Sequence, residues 1–224
     1  MLVPVFAALA DLILPQHCLG CAAGGPRLCG RCLAPVPARR MPRPVPAGLP
    51  ECWSAADYAG AVRAAIVAYK ERGQTTLARP LAAALAFTAC HALASRPAAP
   101  VAVVPVPSAV RARRSRGHDP VGRLAALAVR QLVASGRRAE LWPALGQARQ
   151  IGDQAGLSAT QRAANLAASH RVTPAGKARP AASVLLVDDI VTTGSTLAEA
   201  ARTLRANGVE VLLAVTVAAT RRRS

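Results

Sequence analysis

Two adjacent carboxylates, Asp188 and Asp189, are followed within a few residues by Thr192, Thr193, Gly194, Ser195 and Thr196. Hydroxyls donate hydrogen bonds to a phosphate, and a glycine lets the backbone approach one closely. Carboxylates would repel a phosphate but suit sugar hydroxyls or hydrated magnesium. Phosphate, hydroxyls and metal in one stretch describe a phosphorylated ribose. The flanking residues fit such a site. Val184 to Val187 is an apolar run of the kind buried on both faces of a sheet. Leu197, Ala200, Ala201 and Leu204 recur at helical spacing, Asn207-Gly208 stops that helix, and Val209 to Ala218 reads as the next strand. The unit is strand, polar loop, helix, strand, with both carboxylates expected in the loop. Ligands of parallel sheets bind beyond the carboxyl ends of the strands, where the amino end of the following helix also attracts anions. No Gly-Lys-Ser/Thr phosphate loop occurs, and no Gly-x-Gly-x-x-Gly follows a strand.

A second constellation lies near the amino terminus, in Cys18-Leu-Gly-Cys21 and Cys29-Gly-Arg-Cys32. Two Cys-x-x-Cys turns, each with a glycine inside, aim four thiolates at one tetrahedral centre, which reads as a closed, structural zinc site. Disulfides or redox thiols are the other readings, and a cytoplasmic chain argues against stable disulfides. Cys52 and Cys90 read as buried thiols rather than ligands.

The remaining elements have to position these groups. With 224 residues and 52% apolar content there is room for one substantial domain and a small one, but aromatics are only 3%, so the core is packed with small side chains. That scarcity argues against a base-stacking platform for single strands. The net charge of +17 comes almost wholly from arginine, since Lys70 and Lys177 are the only lysines. It has two readings, affinity for polyanions or a general taste for arginine and alanine. The first fourteen residues are apolar, but they lack a basic start and Asp11 interrupts them. They read as an amphipathic helix, not a signal peptide, and no run reaches membrane-spanning length. The expected location is cytoplasmic, without membrane insertion.

Along the chain, Pro35 to Pro50 is a stiff basic linker carrying Arg39, Arg40 and Arg43. A strand over Trp53–Tyr58, helices over Ala61–Glu71 and Leu77–Ser95, a strand over Val101–Val104 and a helix over Pro120–Ser135 follow. His91, near the end of the second helix, is expected at the surface. A weak strand is expected over Leu141–Leu145, and a turn over Lys177–Pro180 leads into the central strand. Between them lies a polar segment with a capping box at Ser158-Ala-Thr-Gln161, which reads as a lid or an exposed loop and helix. The basic segment Ser108–His118 would face the Asp188–Thr196 loop across the sheet, where Arg116 could neutralise pyrophosphate. The resulting partition is 1–50 for the amino-terminal helix, four-cysteine module and linker, 53–220 for the α/β domain, and 221–224 for a disordered basic tail.

Val184 to Thr196 resembles the 5-phosphoribosyl-1-diphosphate (PRPP) motif of type I phosphoribosyltransferases, an apolar strand, two acidic residues and Thr-Thr-Gly-x-Thr. The order of features over nearly the whole chain is similar to the ComF/GntX family of competence-associated phosphoribosyltransferase-like proteins. These are the paired Cys-x-x-Cys, Tyr69-Lys70, Val104-Pro-Val-Pro107, Arg114-Ser-Arg-Gly-His118, Arg149 with Gln154 and Leu157, Arg162 with Asn165, and Val184–Thr196. The family's Arg-Gly-Phe-Asn-Gln reads Arg116-Gly-His-Asp-Pro120 here. The resemblance implies a parallel sheet flanked by helices behind a small zinc module. It also implies transfer of ribosyl 5-phosphate from PRPP to a nitrogenous base or similar acceptor, with release of pyrophosphate. Asp188 and Asp189 would hold the ribose hydroxyls, Thr192, Thr193, Gly194, Ser195 and Thr196 the 5-phosphate, and Arg116 the leaving group. Magnesium would accompany PRPP, bound by substrate oxygens and water. The family name links such proteins to DNA uptake, so a competence-machinery partner or DNA is implied. The competing class is a non-catalytic nucleotide- or DNA-binding factor on the same fold. A two-metal nuclease is a weaker third reading, because two adjacent carboxylates alone do not build its site.

Overall fold

The computed structural model describes residues 17–96, 99–107, 119–148, 169–178, 180 and 182–221. Its centre is a six-stranded sheet. Across it run β1 (Ala38–Arg39), β2 (Cys52–Asp57), β8 (Val211–Ala219), β7 (Ser183–Val191), β3 (Val101–Pro105) and β4 (Ala139–Leu141). β1 is antiparallel to β2, and all other neighbours are parallel. A two-stranded antiparallel hairpin, β5 (Leu145–Gln147) with β6 (His170–Val172), stands apart from it.

The period-2 alternation of each strand sorts its side chains between two layers. Leu185 and Val187 of β7, Val101 and Val103 of β3, and Leu213 and Val215 of β8 pack with helices α1 (Gly60–Glu71), α2 (Ala78–Ala92) and α3 (Pro120–Ala134). Val184, Leu186, Ala102, Val104 and Ala214 pack instead with Leu197, Ala200, Ala201 and Leu204 of α5 (Ser195–Ala206). The strands are therefore covered on both faces, as their continuous apolar runs require. The small-residue core is borne out: alanines fill much of α2 and are buried there.

Local signals explain the element ends. Asp119 caps α3 by accepting from the Gly122 N–H at 3.1 Å, and Pro120 occupies the first turn. Asp119 and Pro120 are thus a helix start. Tyr69, fully buried on α1, donates to the Pro120 carbonyl at 2.8 Å and ties α1 to that start. The expected strand over Leu141–Leu145 is instead two, β4 and β5, because Pro143 cannot continue a ladder. The expected turn at Lys177 is preceded by a one-turn helix α4 (Pro174–Lys177) capped by Thr173.

The basic segment after the four-cysteine module adds β1 to the sheet edge, then crosses to α5, where Arg205 donates to the Gly48 carbonyl. Arg221, expected in a disordered tail, is paired with Asp57 at 2.7 Å. Cys52 is buried as expected, whereas Cys90 is only half-buried, 3.6 Å from the Ser135 hydroxyl. His91 is exposed and tilts its ring against Trp53. The amino-terminal helix, the Ser108–His118 segment with Arg116, the polar segment from Arg149 to Asn165 and residues 222–224 lie outside the described residues. Among the described residues no helix is long and apolar enough to cross a membrane.

The Tyr69 tie is testable. Tyr69→Phe keeps the packing but leaves the buried Pro120 carbonyl without that donor. It should cost about 1–2 kcal/mol, read from denaturant midpoints. An unchanged midpoint would show that the bond adds nothing to stability.

Candidate functional site

β7 is the third strand in from one edge and the fourth from the other, so its carboxyl end lies in the middle of the sheet. The strand does not stop before the carboxylates. It runs on to Val191, and Asp188 and Asp189 are ladder residues, with Asp188 in register with Thr216. The physical reason is that pairing with β8 supplies backbone partners through Val191↔Ala219, which a local loop would lack.

Placement in the strand separates the two acids. By alternation Asp189 falls on the α1 side and Asp188 on the α5 side. Asp189 is only 4% exposed, and its Oδ2 lies 2.6 Å from Lys70 Nζ near the end of α1. A buried carboxylate needs such a partner. Asp188 is half-buried, and its Oδ1 accepts from the Asp189 N–H at 2.8 Å. Burial, then the Asp189 charge, push the Asp188 carboxyl well above its ordinary range, while that N–H and Lys70 oppose the shift. Lys70 is the functional candidate that residue types alone did not single out. The sequence marked it only as part of the Tyr69-Lys70 pair, without a role, and as one of two lysines in an arginine-rich chain.

The polar loop is short. Thr192 and Thr193 are exposed, Gly194 is buried with φ 76°, and Ser195 and Thr196 open α5. Positive φ at the helix N-cap favours glycine here. The hydroxyls of Thr193 and Ser195 stand 3.1 Å apart, the Ser195 N–H donates to Thr193 Oγ1 at 3.4 Å, and the N-cap Gly194 itself supplies no capping side chain. The close approach at Gly194 is not to open space. A Cβ there would meet Leu49 Cδ2 and Pro42 Cγ, each at 2.9 Å. Those residues belong to the basic segment, which thereby roofs the loop. A pocket of about 490 Å³ lies between Arg40–Pro46, Val191–Thr193 with Ser195, and Ala219–Arg221. The structure thus brings Asp188, Asp189 and the hydroxyl loop to one strand end.

The four cysteines are also brought together. One sulfur from each of Cys18, Cys21, Cys29 and Cys32 lies within 4.8 Å of every other, and all four are free thiols. Backbone N–H groups of Cys21, Cys29 and Gly20 draw the Cys18 thiol down to about 6. The Cys18 and Cys29 sulfurs push Cys32 up to about 12. Several thiolates at this spacing need a cation to coexist, and an all-sulfur donor set of four suits zinc. The module is not separate from the body. Leu28 and Leu33 belong to the α1–α3 core, and a Cβ at Gly20 would strike Ala61 at 2.6 Å.

The fold is that of an α/β protein with a mostly parallel sheet between helical layers, and its acids and hydroxyls meet at the end of a central strand. Residues 144–224 match the family model described as the phosphoribosyl transferase domain. The match includes β7, the hydroxyl loop, α5 and β8, and leaves out the four-cysteine module, the roofing segment and Lys70. No curated protein matches the chain.

Two outcomes check this geometry. Because Asp188 is raised in the folded state, its favourable contribution is full below the ordinary carboxyl pKa of about 4 and is lost as pH rises through the folded value. Ligand-free Asp188→Asn should therefore melt higher than wild type at pH 8 and converge on it near pH 4.5. A difference independent of pH would contradict the assignment. For the cysteines, purified protein should carry about one zinc per chain, and chelation should lower the melting temperature of the whole α/β body, because Leu28 and Leu33 are shared with its core. Protein prepared anaerobically without zinc would refute the metal.

Proposed function

We propose that the protein binds PRPP at the carboxyl end of β7 and transfers its ribosyl 5-phosphate to a nitrogenous base or similar acceptor. The bond from C1 to pyrophosphate oxygen breaks, a bond from C1 to the acceptor nitrogen forms, and pyrophosphate leaves with the electron pair. The observation that carries this reading is the juxtaposition of Asp188 and Asp189 with the Thr192–Thr196 loop at the amino end of α5. It is supported by the domain match over residues 144–224.

In this reading the loop hydroxyls and the first N–H groups of α5 hold the 5-phosphate. Asp188 and Asp189 hold the ribose hydroxyls, and their negative charge stabilises the oxocarbenium character that develops at C1. Arg116 steadies the leaving pyrophosphate. Asp189 is already paired with Lys70, so Asp188 is the carboxylate left to face a magnesium ion accompanying PRPP, which would supply positive charge toward the pyrophosphate. The four-cysteine module holds zinc as a structural ion.

A second reading, a non-catalytic nucleotide- or DNA-binding factor linked to DNA uptake, is favoured by the same Lys70–Asp189 pair. It reduces the negative charge that transfer requires beside C1. The arginine-rich charge suits it too.

Calorimetric titration of PRPP with magnesium, beside a pyrophosphate-release assay over a panel of bases, separates the two. Wild type should bind PRPP and turn over with at least one base. Asp188→Asn should bind within a few-fold of wild type and lose roughly 10²-fold in turnover. Gly194→Val should abolish binding, since it strains a positive φ and displaces Pro42 and Leu49 from the loop. PRPP binding without turnover leaves the binding factor standing, and normal binding by Gly194→Val would misplace the site.

A further inference from the structure

The pocket over the hydroxyl loop has one wall that the matched domain does not supply. Arg40 and Arg43 come from the segment leaving the four-cysteine module, whereas Arg221, after the last strand, lies within the matched residues. No carboxylate lines this pocket among the described residues. Asp57, at the end of β2, stands beside it and binds two of the arginines, Arg40 Nη2 at 3.3 Å and Arg221 Nη2 at 2.7 Å. Two guanidinium groups therefore share one carboxylate, and Arg43 lines the same pocket over a floor of hydroxyls. A surplus of positive charge facing Thr192, Thr193 and Ser195 is chemistry for an oxyanion.

The roof is held in place before any ligand arrives. The Arg40 N–H donates to the Cys52 carbonyl at 2.8 Å, and β1 pairs with β2 just before it. Met41 Sδ accepts from the Cys52 N–H at 3.4 Å. Pro42 and Leu49 fill the space that a side chain at Gly194 would take. Asp57 fixes Arg40 and Arg221 relative to each other. Ordering long side chains in advance removes much of the entropy cost of using them on a ligand.

We propose that segment 40–46 and Arg221 form an oxyanion-binding roof over the Thr192–Ser195 loop, so that the part of the chain anchored by the four cysteines contacts the ligand directly. The ligand group is a phosphate monoester or a carboxylate. Two sources fit, the 5-phosphate of PRPP and an acid group on the acceptor. The choice of PRPP as donor rests on the function proposed above, but the oxyanion site does not.

The test uses the full chain with zinc content matched. Wild type, Arg43→Gln and the Arg40→Gln/Arg43→Gln pair are titrated with inorganic phosphate, ribose 5-phosphate and PRPP. Arg43 is exposed, so Arg43→Gln leaves the Arg40–Asp57 pair intact and should fold as wild type. Affinity for ribose 5-phosphate should fall about tenfold in Arg43→Gln and further in the pair, the size expected for lost charge-assisted hydrogen bonds. A loss confined to the acceptor's KM, with ribose 5-phosphate unaffected, would support the roof and place the oxyanion on the acceptor. Unchanged affinity and KM in both variants would overturn the proposal. If wild type binds phosphate but not PRPP, the function proposed above fails while the roof stands, provided the variants lose phosphate. If wild type binds none of the three, both fail.

Discussion

The arrangement at the strand end depends on one constraint, the burial of a carboxylate within a parallel sheet. β7 is hydrogen-bonded on both sides, to β3 and to β8, and covered on both faces. A strand so placed continues as long as its neighbours offer partners. It carries Asp188 and Asp189 into the ladder with it. Asp189 then has nowhere to reach water and must find a cation, which Lys70 supplies from α1. Tyr69, the residue before it, fixes that helix against the start of α3. The position of α1, the pairing of Asp189 and the shape of the strand end are set together.

The same constraint divides labour between the two faces. On one side lie the Lys70–Asp189 pair and the helices of the larger core. On the other lie Asp188, the hydroxyl loop, α5 and the basic roof. Adjacent acids in sequence have separate environments. One is neutralised and fixed, and the other has its protonated form favoured by burial and by its neighbour's charge.

The four-cysteine module contributes through connectivity as well as packing. Its leucines enter the core beside α2, and the chain leaving it becomes the edge strand and then the roof over Gly194. A proline-rich stretch has little conformational freedom to lose, so it can be held by a few contacts. Here these are the β1 pairing, the seat at Gly194 and the Arg205 bond to Gly48. A segment that in sequence looks like a spacer is one wall of a pocket.

The sequence by itself determined the local parts. Apolar runs marked the buried strands, 3.6-residue spacing marked the helices, Asn207-Gly208 marked a helix end, and two Cys-x-x-Cys turns marked four converging sulfurs. These are readable because each depends on neighbours within a few residues. Val184 to Thr196 was likewise legible as a strand leading to a phosphate-type loop. Tertiary structure decided what lies across the fold. The strand's extension through Asp189 depends on register with β8, some thirty residues later in the chain. The partner of Asp189 sits on a helix before the sheet's central strands, and the roof comes from a segment nearly 150 residues upstream of the loop, at Pro42 and Leu49 against Gly194. No local pattern encodes those pairings, because they exist only once burial on two faces forces distant side chains to satisfy one another.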